Sequence, residues 1–376
     1  KPQGDKSRIT TFTASNGFEI APTNFIFEIN VDIQIKGLYT KYLGSNDYVL
    51  ANNDNKLLGF SRAINNKPFQ LSKIEEATVW QGNIYVNELL IIDKPIKILP
   101  GTTIRLSSNG SIIFKDRVES IGLKDNNINF IRSDKDPWGV IALIGKGTQG
   151  SVIEFTNFSG GSGGNYDGYE FTGMFSIHAS NSITLSNLRF SENAQYDDLI
   201  HILYSNNIKL SDSYIFDGRA DLIDIDISEM EITDCIFNNS GNDAIDAMTS
   251  NVLISNTYIS ESGDKGLSAG ESSTVSVSNL TFDNTQIAIQ SKDGTYVSVS
   301  DSKFLNNKLQ LDAYQKNWRY GDGGRIEVDN SLFESDENLI TAQKRSKITV
   351  SNSYFNTSYS HLQNKRVNFV DNQITN

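Results

Sequence analysis

Residues 252–259 read Val252-Leu253-Ile254-Ser255-Asn256-Thr257-Tyr258-Ile259, and residues 275–282 read Val275-Ser276-Val277-Ser278-Asn279-Leu280-Thr281-Phe282. In both, a short alternating segment runs into Asn, and an apolar residue follows three positions later. Alternation over four or five residues marks a strand with one buried face, not a helix. Working outward, the same motif (Asn or Asp, two residues, then Phe or Ile) begins at Asn187, Asp212, Asp234, Asn256, Asn279, Asp301, Asn330, Asn352 and Asp371. Most intervals are 22 or 23 residues; the exceptions are 25 after Asn187, 29 after Asp301 and 19 at the end. Asn157 reads as an earlier, degenerate copy, with Gly160 in the apolar place. A fixed period of this size means stacked coils. Leucine-rich repeats share it, but they need a dense Leu pattern and often a helix, and neither is present. Three short strands per coil of about 22 residues is the better reading, with Asn, Ser, Gly and Asp supplying the turns.

Composition agrees with a long, thin core. The chain has 376 residues, 38% of them apolar, yet 20 Phe and 15 Tyr argue against disorder. With 45 acidic and 33 basic side chains the net charge is −12, so no nucleic-acid partner is expected, since phosphate grooves need clustered Lys and Arg. A single Cys, Cys235, excludes a disulfide scaffold and any multi-Cys zinc site. It follows Asp234 in the repeat and reads as a core or ladder neighbour. No apolar run approaches 18 residues, so no membrane span is expected. Strong acidity, one Cys and many Asn and Ser fit a secreted or cell-surface protein.

Upstream, residues 95–114 read as strands around turns at Pro100-Gly101 and Asn109-Gly110, an irregular start to the coils. Residues 1–75 carry no repeat; a strand is expected over 25–35 and a turn over 52–55. The expected division is a small β-rich cap or separate domain over 1–75 and a solenoid over 76–376. The pattern ends without an amphipathic helix, so a capping domain or subunit is expected at the C-terminal end.

The stretch from about Trp138 onward resembles the right-handed parallel β-helix repeat proteins of the pectate-lyase-like superfamily. The pieces that carry the likeness are Ile183-Thr184-Leu185-Ser186-Asn187-Leu188-Arg189-Phe190, Asp243-Ala244-Ile245-Asp246-Ala247 and their counterparts in later coils. Trp138-Gly139-Val140-Ile141 and residues 314–324 also look like β-helix modules of bacterial surface proteins. The resemblance implies an all-β, right-handed parallel β-helix with an internal Asn ladder. It also raises the prospect of a polysaccharide substrate, because many β-helix proteins cleave or epimerise uronan chains.

A second pattern concerns the outer face. An apolar–x–apolar triplet recurs as Ile177-His178-Ala179, Ile200-His201-Ile202, Ile223-Asp224-Ile225, Ile245-Asp246-Ala247, Leu267-Ser268-Ala269, Ile289-Gln290-Ser291, Leu311-Asp312-Ala313 and Ile340-Thr341-Ala342. Successive strand residues face opposite ways, so the middle residues form an external column. Two of the three His fall in it beside Asp224 and Asp246. Two positions on come Asp226, Met248, Gly270, Lys292, Tyr314 and Gln343; Asp198, Asp221, Asp243, Asp264 and Lys265 precede the strands. An outward solenoid face is polar in any case, so plain solvated surface is the competing reading. On the functional one, Asp224, Asp226 and Asp246 suit Ca²⁺, while His178 and His201 with an Asp suit a transition metal.

Two insertions break the period. Residues 159–171 carry Tyr166 and Tyr169; residues 315–324 carry Lys316, Trp318, Arg319 and Tyr320. Insertions in solenoids become loops that wall the binding face, where aromatics stack on sugars and Lys or Arg meet carboxylates. With Lys265 and Asp312 these are the candidate substrate contacts; packing of the same aromatics on the solenoid is the alternative.

Two functions fit. One is an enzyme on an extracellular, acidic polysaccharide. A lyase or epimerase would use Ca²⁺ on the three aspartates, with Lys292, Lys265, His201 or Tyr314 as base. A glycoside hydrolase would pair Asp224 with Asp246 or Asp226. The other is a non-catalytic adhesin, glycan-binding or assembly module. No nucleotide loop, Gly-x-Ser-x-Gly or His-Glu-x-x-His motif occurs. The local motifs of pectin hydrolases, pectate lyases and alginate epimerases are absent too.

Overall fold

The structure is a computed structural model that describes residues 39–40, 49–50, 77–336 and 339–375. The chain divides into two units, Lys1–Ile74 and Glu75–Asn376. In the first, Tyr39–Thr40 pairs antiparallel with Val49–Leu50; the strand expected over 25–35 and the turn over 52–55 lie outside the described residues. The second is a parallel β-solenoid. Its strands fall into two 13-stranded sheets and one of 11, each coil giving one strand to each in turn except the last two, which give none to the third. The upstream strands are Ile96–Ile98, Thr103–Leu106 and Ser111–Phe114, with Gly101 at the turn in the left-handed region (φ 78°).

The core is one continuous column, because every coil turns the alternate residues of its strands inward. The apolar residue of the repeat stacks ring on ring: Phe130, Phe158 and Phe190 at 4.8 and 4.7 Å, then Phe282, Phe304, Phe333 and Phe355 at 5.4, 4.6 and 4.5 Å.

The Asn/Asp column is not internal. Asn187, Asp212, Asp234, Asn256, Asn279, Asp301, Asn330, Asn352 and Asp371 all have φ between 46° and 55°, and eight of the nine are exposed. Their conservation of type along the chain follows from that bend, since Asn and Asp tolerate the left-handed region best after Gly. The interior ladder is made one residue later by hydroxyls. Leu188 N–H donates to Ser213 Oγ (3.0 Å), Leu280 to Ser302 (3.1 Å), Ser302 to Ser331 (3.1 Å) and Ser331 to Ser353 (3.0 Å). Cys235 holds the same place, fully inside, and burial pushes its thiol up to about 12, so it is no nucleophile. A second hydroxyl ladder, Ser205, Ser228, Ser250, Ser273 and Thr295, serves another corner. The early copy is also shifted. Phe158 pairs with Phe190, and Phe155, at φ 45°, takes the bend instead of Asn157.

This bend carries a testable cost. Asn279→Val puts a β-branched residue at φ 55° and is expected to destabilise the solenoid by about 1–2 kcal/mol. Asn279→Gly should cost less, as urea unfolding of the two variants will read out.

Candidate functional site

The 11-stranded sheet carries the outward triplets. Its register aligns His201 with Asp224, Asp224 with Asp246, Asp246 with Ser268, Ser268 with Gln290, Gln290 with Asp312, and Asp312 with Thr341. The column begins differently from the sequence expectation. Ser176 lies beside His201, while His178 lies beside Leu203 in the next column, with Asp226, Met248, Gly270, Lys292 and Tyr314. His178 is also not on solvent. It is 2% exposed, with the Phe171 ring stacked on it at 4.9 Å and His201 edge-on at 4.9 Å. Burial, and then His201, holds its imidazole well below the usual range, so it stays neutral. The sequence reading placed His178 among the candidate catalytic residues on the outward column; the structure sets it one column over and buries it.

Asp224, Asp226 and Asp246 are half-buried on the open face, and three residues ahead of the column, at the strand entries, stand Asp198, Asp221 and Asp243. Their oxygens converge. Asp221, Asp243 and Asp246 bring one oxygen each within 4.8 Å of one another, and a ring nitrogen of His201 and one oxygen each of Asp224 and Asp226 lie as close. These are the two such groups among the described residues. Burial raises the Asp198 and Asp243 carboxyls to about 7 and the Asp221 carboxyl above its usual range. Burial, and next the charges of Asp226 and Asp198, raises Asp224 well above it.

Two lysines close the acidic stretch. Lys265 Nζ donates to Asp243 Oδ1 (3.2 Å) and pairs with Asp264. Lys292, 8% exposed, donates to Ser268 Oγ (3.1 Å). Burial works against the charge of Lys292, but Asp246 and Glu271 outweigh it and its ammonium is held above the ordinary value. Tyr314 is half-buried, and burial raises its phenol. Asp312 accepts from Gln290 Nε2 (2.9 Å) and Thr341 Oγ1 (2.6 Å), which engages both its oxygens.

The insertions lie at either end of this stretch. The first forms a hairpin, Gly164–Tyr166 with Tyr169–Phe171. Tyr166 packs on Ile113, Val140, Ala142, Ile144 and Phe171, and its hydroxyl accepts from Lys115 Nζ (2.9 Å), so it anchors the hairpin. Tyr169 is exposed. Gly161 lets the chain pass over the buried Trp138, whose ring atoms would stand 2.6 Å from a Cβ there. The second insertion is fastened by the fully buried Asp293, whose Oδ1 accepts the amides of Lys316 and Asn317 (both 2.7 Å). It presents Trp318, 76% exposed, with Lys316 and Arg319 exposed and Tyr320 half-buried. A concavity of about 740 Å³ lies on another sheet, lined by residues such as Leu253, Ser276, Tyr296, Ser298 and Glu327. It includes neither carboxylate group.

Sequence reasoning named Asp198, Asp221 and Asp243 only as strand-entry residues. Their convergence depends on coils 22 residues apart, which no linear spacing reports.

The family model described as "Right handed beta helix region" matches residues 175–358, just under half of the chain. No curated protein matches the chain in sequence. Among solved structures, the chain is similar to an alginate lyase from Paenibacillus sp. (11% identity, 74% of this chain and 93% of that one, TM-score 0.39). It is similar to a Streptococcus pneumoniae surface protein and adhesin (15% identity, 78% and 89%, TM-score 0.39). A third is the catalytic unit of an α-1,3-glucanase from Streptomyces thermodiastaticus (11% identity, 77% and 63%, TM-score 0.44). No helix of the described residues is long and apolar enough to cross a membrane. In fold the chain is a right-handed parallel β-helix, and residues 175–358 are similar to the right-handed β-helix family.

Proposed function

We propose that the acidic face binds a polysaccharide along the solenoid axis and hydrolyses it, with Asp221 as general acid and Asp246 as nucleophile, water then releasing the glycosyl ester formed on Asp246. The observation that carries this is the approach of the Asp221, Asp243 and Asp246 oxygens within 4.8 Å, too close to admit a water between acid and base, with Asp221 and Asp246 half-buried and Asp243 buried. Like-charged carboxyls this close do not all ionise, and one protonated beside one ionised is what glycoside hydrolysis needs. Asp221 suits the acid. It is half-buried, burial raises its carboxyl, and the bonds from Asn242 Nδ2 (2.7 Å) and the Asp243 amide (2.8 Å) both fall on Oδ1, leaving Oδ2 to carry the proton. Asp246 suits the nucleophile. It is half-buried, and its Oδ1 has no hydrogen-bond partner. Between the Gly173–His178 and Leu309–Tyr314 strands, which adjoin the insertions with Tyr169 and Trp318, lie six sheet spacings, roughly 29 Å at about 4.8 Å each. That length suits an extended chain better than a small molecule.

The field refines the substrate. The face sets six aspartates against Lys265 and Lys292, so even with some of the carboxyls protonated it disfavours a uronate chain, and a neutral glycan is the expected substrate class, in place of the acidic one the resemblance implied. Secretion or surface display belongs to the same proposal, since such polymers lie outside the cell. The test is incubation with neutral and uronic polysaccharides, reading reducing ends and the ultraviolet absorbance of unsaturated products in parallel. New reducing ends without absorbance are expected. Absorbance would point to a lyase, and retention on a glycan without products to a binding module.

A further inference from the structure

The His201 ring does not serve the Asp221–Asp246 pair, and its surroundings have a purpose of their own. It is 6% exposed, yet its Nε2 has no hydrogen-bond partner. That nitrogen looks onto Asp226 Oδ2 at 3.7 Å and lies within 4.8 Å of one oxygen from each of Asp224 and Asp226. Two ligands each about 2.1 Å from a tetrahedral ion stand about 3.4 Å apart, so little movement closes this set.

The far side of the ring has partners of its own. His201 Nδ1 lies 3.0 Å from Thr172 Oγ1 and 3.2 Å from His178 Nε2. In the tautomer with the proton on Nδ1, Nδ1–H donates to this pair and Nε2 keeps its lone pair for a ligand. An outer partner that holds a His in one tautomer is the usual companion of a metal ligand. The backbone makes room as well: a Cβ on Gly173 would stand 2.7 Å from the His201 amide N.

We propose that His201 Nε2, Asp224 and Asp226 bind one divalent first-row transition ion, with Thr172 and His178 orienting the imidazole. The nitrogen ligand separates this site from an all-oxygen Ca²⁺ site on Asp224, Asp226 and Asp246, because imidazole favours Zn²⁺ and its neighbours over Ca²⁺. The proposal is independent of the glycan reading, which uses Asp221 and Asp246, and its test contains no sugar.

Chelator-treated protein is titrated calorimetrically with Zn²⁺ and with Ca²⁺, and with Co²⁺ while its visible absorption is followed. One equivalent of Zn²⁺ is expected, with Ca²⁺ at least about a hundredfold weaker. Bound Co²⁺ should develop ligand-field bands. Thr172→Val should weaken Zn²⁺ about 10–100-fold while the solenoid stays folded. His201→Gln should abolish the Co²⁺ bands, and Asp243→Asn should leave Zn²⁺ affinity unchanged. Absence of Zn²⁺ binding overturns the proposal. So does Ca²⁺ bound as tightly as Zn²⁺, or Zn²⁺ binding indifferent to His201→Gln. Were His201→Gln to misfold, Thr172→Val and the Co²⁺ spectrum of the unaltered protein would still decide.

Discussion

Asp246→Asn is expected to lower the rate of glycan cleavage by at least about 10²–10⁴-fold, since an amide cannot form the glycosyl ester. The substitution keeps the shape of the side chain and removes one charge from the acidic face. Folding should therefore survive, and sugar retention on the groove should be kept. Asp221→Asn is expected to cause a loss of the same order, because an amide cannot donate the proton that the leaving oxygen needs. The two losses should not add, since acid and nucleophile act in one step. Initial rates of reducing-end formation, with circular dichroism as the folding control, check all three statements. Cleavage by Asp246→Asn at the parent rate would remove the carboxyl pair from the chemistry.

The second large effect is on stability. Phe304→Ala should cost about 3–5 kcal/mol. The ring is fully buried and lies between Phe282 at 5.4 Å and Phe333 at 4.6 Å, so its removal opens a gap in a stack that neighbouring coils share. Each coil of a solenoid contacts chiefly the next, so the loss is felt as a broken interface on both sides of the deletion. Urea unfolding should show a lowered midpoint. A change under about 1 kcal/mol would mean that the stack contributes little beyond filling space.

The coil period was legible because two constraints repeat in every turn: an inward aromatic, and a bend that Asn or Asp occupies at positive φ. The same bend misled about the ladder. A column of Asn reads as buried polar groups in need of partners, whereas its regularity comes from backbone conformation. The hydroxyls that do the interior work at Ser213, Thr257, Ser302, Ser331 and Ser353 are hidden among a chain rich in Ser. From His201 onward the register of the column followed from strand alternation alone, but not its exposure: His201, Ser268, Gln290 and Asp312 are buried. At His178 the register failed, because Phe175-Ser176-Ile177 and Ile177-His178-Ala179 are equally good apolar–x–apolar triplets. The insertion at 159–171 had broken the count that would choose between them. Pairing of Ser176 with His201, and the Phe171 ring over His178, make the choice. Asp221 and Asp243 were visible as residues but not as partners of Asp246, since two coils must stack before their oxygens meet.

The most direct test is a crystal structure of Asp246→Asn soaked with an oligosaccharide of whichever glycan the parent protein cleaves. The sugar is expected on the 11-stranded sheet, between the two insertions, with a glycosidic oxygen within hydrogen-bond reach of Asp221 Oδ2. Sugar bound instead in the concavity lined by Ser276, Tyr296, Ser298 and Glu327 would contradict the assignment of the acidic face as the site of chemistry.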